Sequence, residues 1–245
     1  MTGDIGVTKR ICMWSGPRNV STALMYSFAQ RDDTRVVDEP LYGHYLASSG
    51  ARHPGRDTVI RAMDTDGRRV MDRLAVEPAD RPILFAKQMA HHWVGLDSRL
   101  LRPFEHFLLI RDPRDALPSL SKVLDKVSVA DTGLPAQAHL LEELQRLGMQ
   151  PFCLDSKDLL DNTESMLEAV CRRLGLAYDP AMTRWPAGPR PEDGVWAPWW
   201  YANVHRSTGF RPYRSSSETL SEELQCLLPQ CLELYSRLRG RAILA

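Results

Sequence analysis

Four short stretches of this 245-residue chain gather side chains able to do chemistry. The first runs from Gly16 to Thr22, where Arg18, Ser21 and Thr22 follow a Ser-Gly-Pro break, with Asn19 and Val20 between them. A guanidinium, two hydroxyls and the backbone N–H groups of a helix N-terminus, brought to one point, bind an anion, most naturally a phosphate. The second stretch is the carboxylate pair Asp38-Glu39, the third is Lys87 followed by His91 and His92, and the fourth is Arg111 to Asp115 followed by Ser119. Taken singly, each has a plain explanation: an exposed Arg on a turn, a solvated Lys, surface or capping histidines, a salt-bridged helix start worth little. The functional reading rests on all four acting together.

What the first stretch lacks narrows its chemistry. A Walker A loop ends in Gly-Lys-Ser/Thr, its Lys reaching the phosphates and its hydroxyl holding magnesium. Here Val20 stands where that Lys precedes the hydroxyl, and the second glycine is missing. The turn therefore cradles phosphate but is poorly suited to metal-dependent nucleotide chemistry. No G-x-G-x-x-G dinucleotide fingerprint is present either. Cys226 and Cys231 have no accompanying His or Cys pair, so no metal site is expected.

The elements that must position these groups follow from the hydrophobic pattern. Ile11 to Trp14 is an apolar strand, and Ala23, Leu24 and Phe28 give the next segment a helical face. Arg35 to Asp38, Pro82 to Met89, Glu105 to Ile110 and Pro151 to Asp155 read as four further strands. Leu41 to Arg56 reads as a loop or lid, and Asp57 to Leu74 as a helix that Gly67 splits. Pro113 opens a helix as a first-turn proline, Gln137 to Leu147 and Thr163 to Leu174 are amphipathic helices, and Ser215 to Arg239 is a last helix containing Pro229. Alternating strands and helices predict one α/β domain over residues 1–245. Its expected core is a mostly parallel five-stranded sheet flanked by helices, with a P-loop-like phosphate-binding turn after the first strand. In such a sheet the strand C-termini share one side, so the four stretches surround one cleft. Glu39 is expected on a strand adjacent to the one carrying the Arg18 loop. Residues 179–216, rich in proline and holding Trp185, Trp196, Trp199, Trp200 and Tyr201, are too aromatic for a disordered linker and are expected to fold over the sheet.

Composition sets the remaining bounds. With 31 basic and 31 acidic residues the net charge is zero, so no global field draws the chain to nucleic acid or an acidic membrane. Any anion site is built locally. Five scattered cysteines read as reduced, buried residues of a cytoplasmic protein. No apolar run reaches membrane-spanning length, and Met1 to Arg10 lacks a signal-peptide core.

The Pro17-Arg18-Asn19-Val20-Ser21-Thr22 turn, taken with Arg111 and Ser119 eight positions later, resembles the sulfotransferases that use 3′-phosphoadenosine 5′-phosphosulfate. In that family a Pro-Lys-Ser-Gly-Thr-Thr loop grips the 5′-phosphosulfate, and a strand-end Arg with a helical Ser binds the 3′-phosphate. Arg18 and Val20 depart from the loop's Lys and Gly. The resemblance implies sulfuryl transfer to a hydroxyl or amine of a small molecule, without metal. Gly16, Arg18, Asn19, Val20, Ser21, Thr22, Arg111, Ser119 and, on a late loop, Arg206 would hold the donor. Arg18 and Lys87 would neutralise the departing phosphate. The base is Glu39 by its strand-end position, or His91 or His92. The family's histidine position is occupied here by Met89, and His44 is a remote third candidate. Carboxylate pairing between Glu39 and Arg18 is the structural alternative. By ordinary pKa values a glutamate base keeps activity down to about pH 6, whereas a histidine base loses it near 6.5. Two other functions stay open at this level: a phosphotransferase using a nucleoside triphosphate, with Asp38 on magnesium, and a nucleotide-binding protein without catalysis.

Overall fold

A computed structural model describes residues 8–78, 80–215 and 220–245. The expectation for the first residues of the chain, and part of that for the start of the last helix, fall outside these.

Strand β1 (Lys9–Ser15) is followed by helix α1 (Ser21–Phe28), β2 (Thr34–Asp38), α2 (Tyr42–Ser49), α3 (Arg56–Ala62), α4 (Gly67–Val76) and β3 (Ile83–Met89). Then come β4 (Glu105–Ile110), α5 (Pro113–Ser121), α6 (Leu134–Arg146), β5 (Phe152–Asp155), α7 (Ser156–Asp161), α8 (Thr163–Arg173), the short α9 (Ala197–Trp200) and α10 (Glu222–Arg239). The strands form one sheet in the order β2-β3-β1-β4-β5, every pair parallel.

The sheet is covered on both faces, which is why its strands read as apolar runs rather than alternating ones. Ile11, Cys12, Met13 and Trp14 are all fully buried. Their alternation is spatial: Cys12 and Trp14 join one core with Leu108, Leu117, Leu141, Leu144 and Cys231. Ile11 and Met13 join the other with Leu24, Phe28, Phe85, Phe107 and Leu167. Burial of one such side chain contributes roughly 1.5–3 kcal/mol, so the two cores hold the strand ends rigidly in register.

Three expectations need correction. Tyr42 to Ser49 is a helix, not loop, because Tyr42 and Leu46, four apart, bury one face. The segment from Asp57 is two helices whose break falls at Met63 to Asp66, before Gly67; Asp66 caps α4 by accepting from the Arg69 N–H at 3.0 Å. Most consequential, β2 does not adjoin β1. Strand β3 lies between them, pairing Lys87 with Met13 on one side and with Asp38 on the other. The chain leaves β1 towards β2 and leaves β4 towards β5, in opposite directions across the sheet. The crevice between the ends of β1 and β4 is the point where open α/β sheets bind ligands.

Candidate functional site

The first turn is tightly built. A Cβ on Gly16 would lie 2.6 Å from the Thr132 carbonyl oxygen, so only glycine lets the backbone pass. Gly16 therefore shapes the turn from beneath and does not line the cleft. Arg18 then adopts φ of 57°, the left-handed region that most side chains avoid. Its carbonyl accepts from Arg111 Nη1 at 2.5 Å, and its own Nε donates to Ser119 Oγ at 3.1 Å. Asn19 donates Nδ2 to the Leu109 carbonyl at 2.8 Å, tying the turn to the end of β4. Val20 provides no side-chain cap to α1. The start of that helix, with Ser21 and Thr22, opens into the cleft. Arg18, Arg111 and Ser119 thus meet as one group, although 93 and 101 residues separate Arg18 from its two partners.

Across the cleft stands a buried charge cluster. Glu39 also has a left-handed backbone, φ 37°, and its N–H donates to the Lys87 carbonyl at 2.8 Å. Among the described residues, Arg18 and Glu39 alone combine a side chain with positive φ. Such strain persists where the surroundings over-determine it, commonly at functional sites. Lys87, 1% exposed, donates to Asp38 Oδ1 at 3.0 Å, to the Tyr201 hydroxyl at 2.8 Å and to Glu39 Oε1. An ammonium has three N–H donors, so all three are engaged. This corrects two expectations: the ionic partner of Glu39 is Lys87, not Arg18, and Lys87 is not a free cation.

Burial shapes the proton affinities here. Desolvation raises the Glu39 pKa; Lys87 opposes that and Asp38 adds to it. For Lys87 burial disfavours the charge, but Asp38, Glu39 and Tyr201 outweigh it and raise its pKa well above the usual range. His92 lies between Tyr42 and Tyr45, ring centroids at 4.8 and 4.7 Å, with Nδ1 3.9 Å from Glu39 Oε2. Desolvation pushes it well below the ordinary histidine value, and His91 down to about 4. Both are neutral at pH 7. His44 turns away, with Nε2 2.8 Å from the Val94 carbonyl.

The two groups face one cavity of about 800 Å³, within the range of small-molecule and cofactor sites. Its arginine end holds Arg18, Arg111 and Ser119; its other wing holds Glu39, Tyr42, Tyr45, His53, His91 and Trp200. The aromatic segment contributes Trp200, Tyr201, Val204 and Phe210 to its wall. Trp185 and Trp196 are buried, Trp199 is 44% exposed, and Tyr201 drops into the charge cluster. Arg206 stays off this cavity, bonded to Asn203 at 2.6 Å, while Arg211 lines it. Residue patterns missed Tyr201, which sits 163 positions from Asp38 and in no motif. They also missed Gln137, whose amide ties the β4 end at the Leu109 carbonyl, 2.8 Å away. An isolated Gln in a leucine-rich helix was the only signal for the latter.

A family model described as a sulfotransferase domain matches residues 9–242. An Arabidopsis thaliana protein named branched-chain-amino-acid aminotransferase-like protein 2 is 40% identical over 227 residues. That alignment takes in 92% of this chain but 40% of the plant protein, so the chain spans two fifths of that relative's length. Among solved structures, the sulfotransferase domain from the curacin biosynthetic pathway gives a TM-score of 0.54 at 15% identity, covering 98% of this chain and 99% of that one. The sulfotransferase domain from the Synechococcus PCC 7002 olefin synthase gives 0.57 at 15% identity, covering 94% and 95%. At such identity these two likenesses speak for the fold.

Proposed function

The chain belongs to the sulfotransferase domain family, and from that premise we propose that it transfers a sulfuryl group from 3′-phosphoadenosine 5′-phosphosulfate to a hydroxyl or amine of a small-molecule acceptor. The observation that carries the donor assignment is the pair of under-used guanidiniums at the uncapped start of α1. Arg18 spends Nε on Ser119, and Arg111 spends Nη1 on a carbonyl. Their other N–H groups have no hydrogen-bond partner among the described residues. Partly buried cations left in this state are complemented by an anion with several acceptor oxygens. The donor, when bound, supplies the activated sulfuryl group. The residues that would hold its phosphates are Arg18, Arg111, Ser119, Ser21 and Thr22, with the backbone of Asn19 and Val20. Arg211 replaces Arg206 as the late cationic contact on the cavity wall.

The acceptor enters the aromatic wing, and Glu39 takes its proton. A raised pKa suits a base, because the proton is held more firmly once taken. His91 and His92 are less suited: burial makes both poor proton acceptors. The phosphotransferase reading needs Asp38 free for magnesium, whereas Asp38 accepts from Lys87, Tyr201 and the Gly194 N–H. All five cysteines are free, four of them buried, which supports the proposal of a reducing, cytoplasmic location. No helix among the described residues is long and apolar enough to cross a membrane.

Calorimetric titration tests the donor. 3′,5′-adenosine bisphosphate is expected to bind in the absence of metal and to outcompete ATP with magnesium. Tighter binding of ATP with magnesium, together with turnover that requires it, overturns the proposal.

A further inference from the structure

Asp38 and Tyr201 have no part in the chemistry described so far, yet both are buried against the base. The Tyr201 hydroxyl donates to Asp38 Oδ2 at 2.7 Å. It accepts from Lys87 at 2.8 Å and from Trp196 Nε1 at 3.1 Å. One hydroxyl proton and two lone pairs are thereby all used. Asp38 in turn accepts from Lys87, Tyr201 and, at 3.3 Å, the backbone N–H of Gly194. The cluster therefore contains two carboxylates and one ammonium, a sum of one negative charge, with every donor of the ammonium placed.

We propose that Asp38 and Tyr201 are positioning residues for the base: from fixed positions they hold two of the three N–H bonds of Lys87, so that Glu39 shares the ammonium and remains able to take a proton. The inference rests on Glu39 acting as the base. A carboxylate alone against a buried ammonium is locked in its charged form. Here Asp38 competes for the same cation, and its charge works against that of Glu39. Uptake of a proton is balanced simply. The acceptor O–H bond breaks, its electron pair stays on the acceptor oxygen, and an O–H bond forms on Glu39. The cluster then passes from one negative charge to none, which lowers the cost of burying it. Lys87 keeps Asp38 as its charged partner and does not need to move. Tyr201 lies at the end of α9, so the aromatic segment that lines the cavity also sets the base.

The test uses the full-length protein carrying glutamate labelled with ¹³C at the side-chain carboxyl, the Glu39 resonance being identified by its loss in Glu39→Gln. Two variants are each expected to lower its titration by about half a pH unit or more. Asp38→Asn removes the like charge, and the Glu39 pKa falls. Tyr201→Phe keeps the ring but removes one acceptor of Lys87, the freed N–H turns to Glu39, and the pKa falls as well. Binding of 3′,5′-adenosine bisphosphate is expected to stay unchanged in both. Titrations that do not move, or that rise, overturn the inference. Should Asp38→Asn fail to fold, Tyr201→Phe, which preserves volume, still decides between a fall and none. Downward shifts in a protein that does not bind the bisphosphate leave the positioning role standing and remove the donor assignment; binding without shifts does the reverse.

Discussion

Glutamine at position 39 keeps the size of the side chain and an oxygen able to accept from Lys87, but it cannot take a proton. The expected loss follows from that difference. A positioned general base contributes about 10²–10⁴-fold to turnover, so Glu39→Gln is expected to reduce turnover by roughly a hundredfold or more. Breaking a buried ion pair by removing one partner costs about 3–5 kcal/mol when the remaining charge is abandoned. Lys87 keeps Asp38 at 3.0 Å and Tyr201 at 2.8 Å. The stability cost is therefore nearer that of one charged hydrogen bond, about 1.5–3 kcal/mol, and the variant remains folded. The pH profile gives the second handle, with its sign set by burial. A base works when deprotonated, so activity is lost as pH falls through its folded pKa. For Glu39 that value lies above the ordinary 4.5. For His91 it lies at about 4, and for His92 well below the histidine range. For Glu39 and His91 burial thus reverses the order that the two residue types show in water: the glutamate limb comes at the higher pH. The assay follows release of 3′,5′-adenosine bisphosphate from the donor across a panel of small hydroxyl and amine acceptors. Near-normal turnover in Glu39→Gln, with His91→Gln or His92→Gln inactive, would refute the assignment.

Arg111→Ala and Ser119→Ala are expected to weaken 3′,5′-adenosine bisphosphate more than adenosine 5′-phosphosulfate, each by about 1.5–3 kcal/mol; equal losses for both nucleotides, read by calorimetry, contradict a 3′-phosphate site. Turnover is expected to survive saturating EDTA, and an absolute need for added magnesium contradicts that. His106, which accepts from Trp14 Nε1 at 2.9 Å and whose Nε2 donates to the Leu101 carbonyl, is buried and its pKa lowered to about 4. Its unfolded form binds a proton below about pH 6.5, so folding stability falls there by about 1.4 kcal/mol per pH unit until the folded form protonates too. Thermal melts from pH 7 to 4 are expected to show a smaller decline in His106→Gln than in the parent chain.

The parts of the site legible in the sequence were those encoded within a few residues. Ile11 to Trp14 followed by Ser-Gly-Pro announces a strand and a turn because burial on both sheet faces demands an unbroken apolar run. The interval from Arg111 to Ser119 is likewise local, spanning one strand end and the first turns of α5. Strand order is different. Nothing in Arg35 to Asp38 tells whether that strand docks beside β1 or one place further out, since the choice is made by where α1 packs. The error carried into the site, because a strand beside β1 gives Glu39 to Arg18, whereas β3 between them gives it to Lys87. Helix α2 escaped notice because only a few of its residues are buried, and its aromatic side chains stack on His92 rather than forming an apolar stripe. Tyr201 was one of many aromatic residues in a crowded segment, and only tertiary contact separates it from its neighbours.

The left-handed backbone at Arg18 carries a cost that selection has to keep meeting. A non-glycine residue in that conformation is disfavoured by about 1–2 kcal/mol, and glycine would relieve it at once. The side chain that prevents the exchange is the one whose guanidinium faces the cleft. Position 18 therefore divides two kinds of laboratory evolution. Selection for heat resistance alone drifts towards glycine there, partly offset by the looser unfolded chain. Selection for turnover retains arginine and accepts the less stable fold. A library screened both ways records that divergence as opposite enrichments at a single codon, and so measures how much stability this turn gives up to keep its charge.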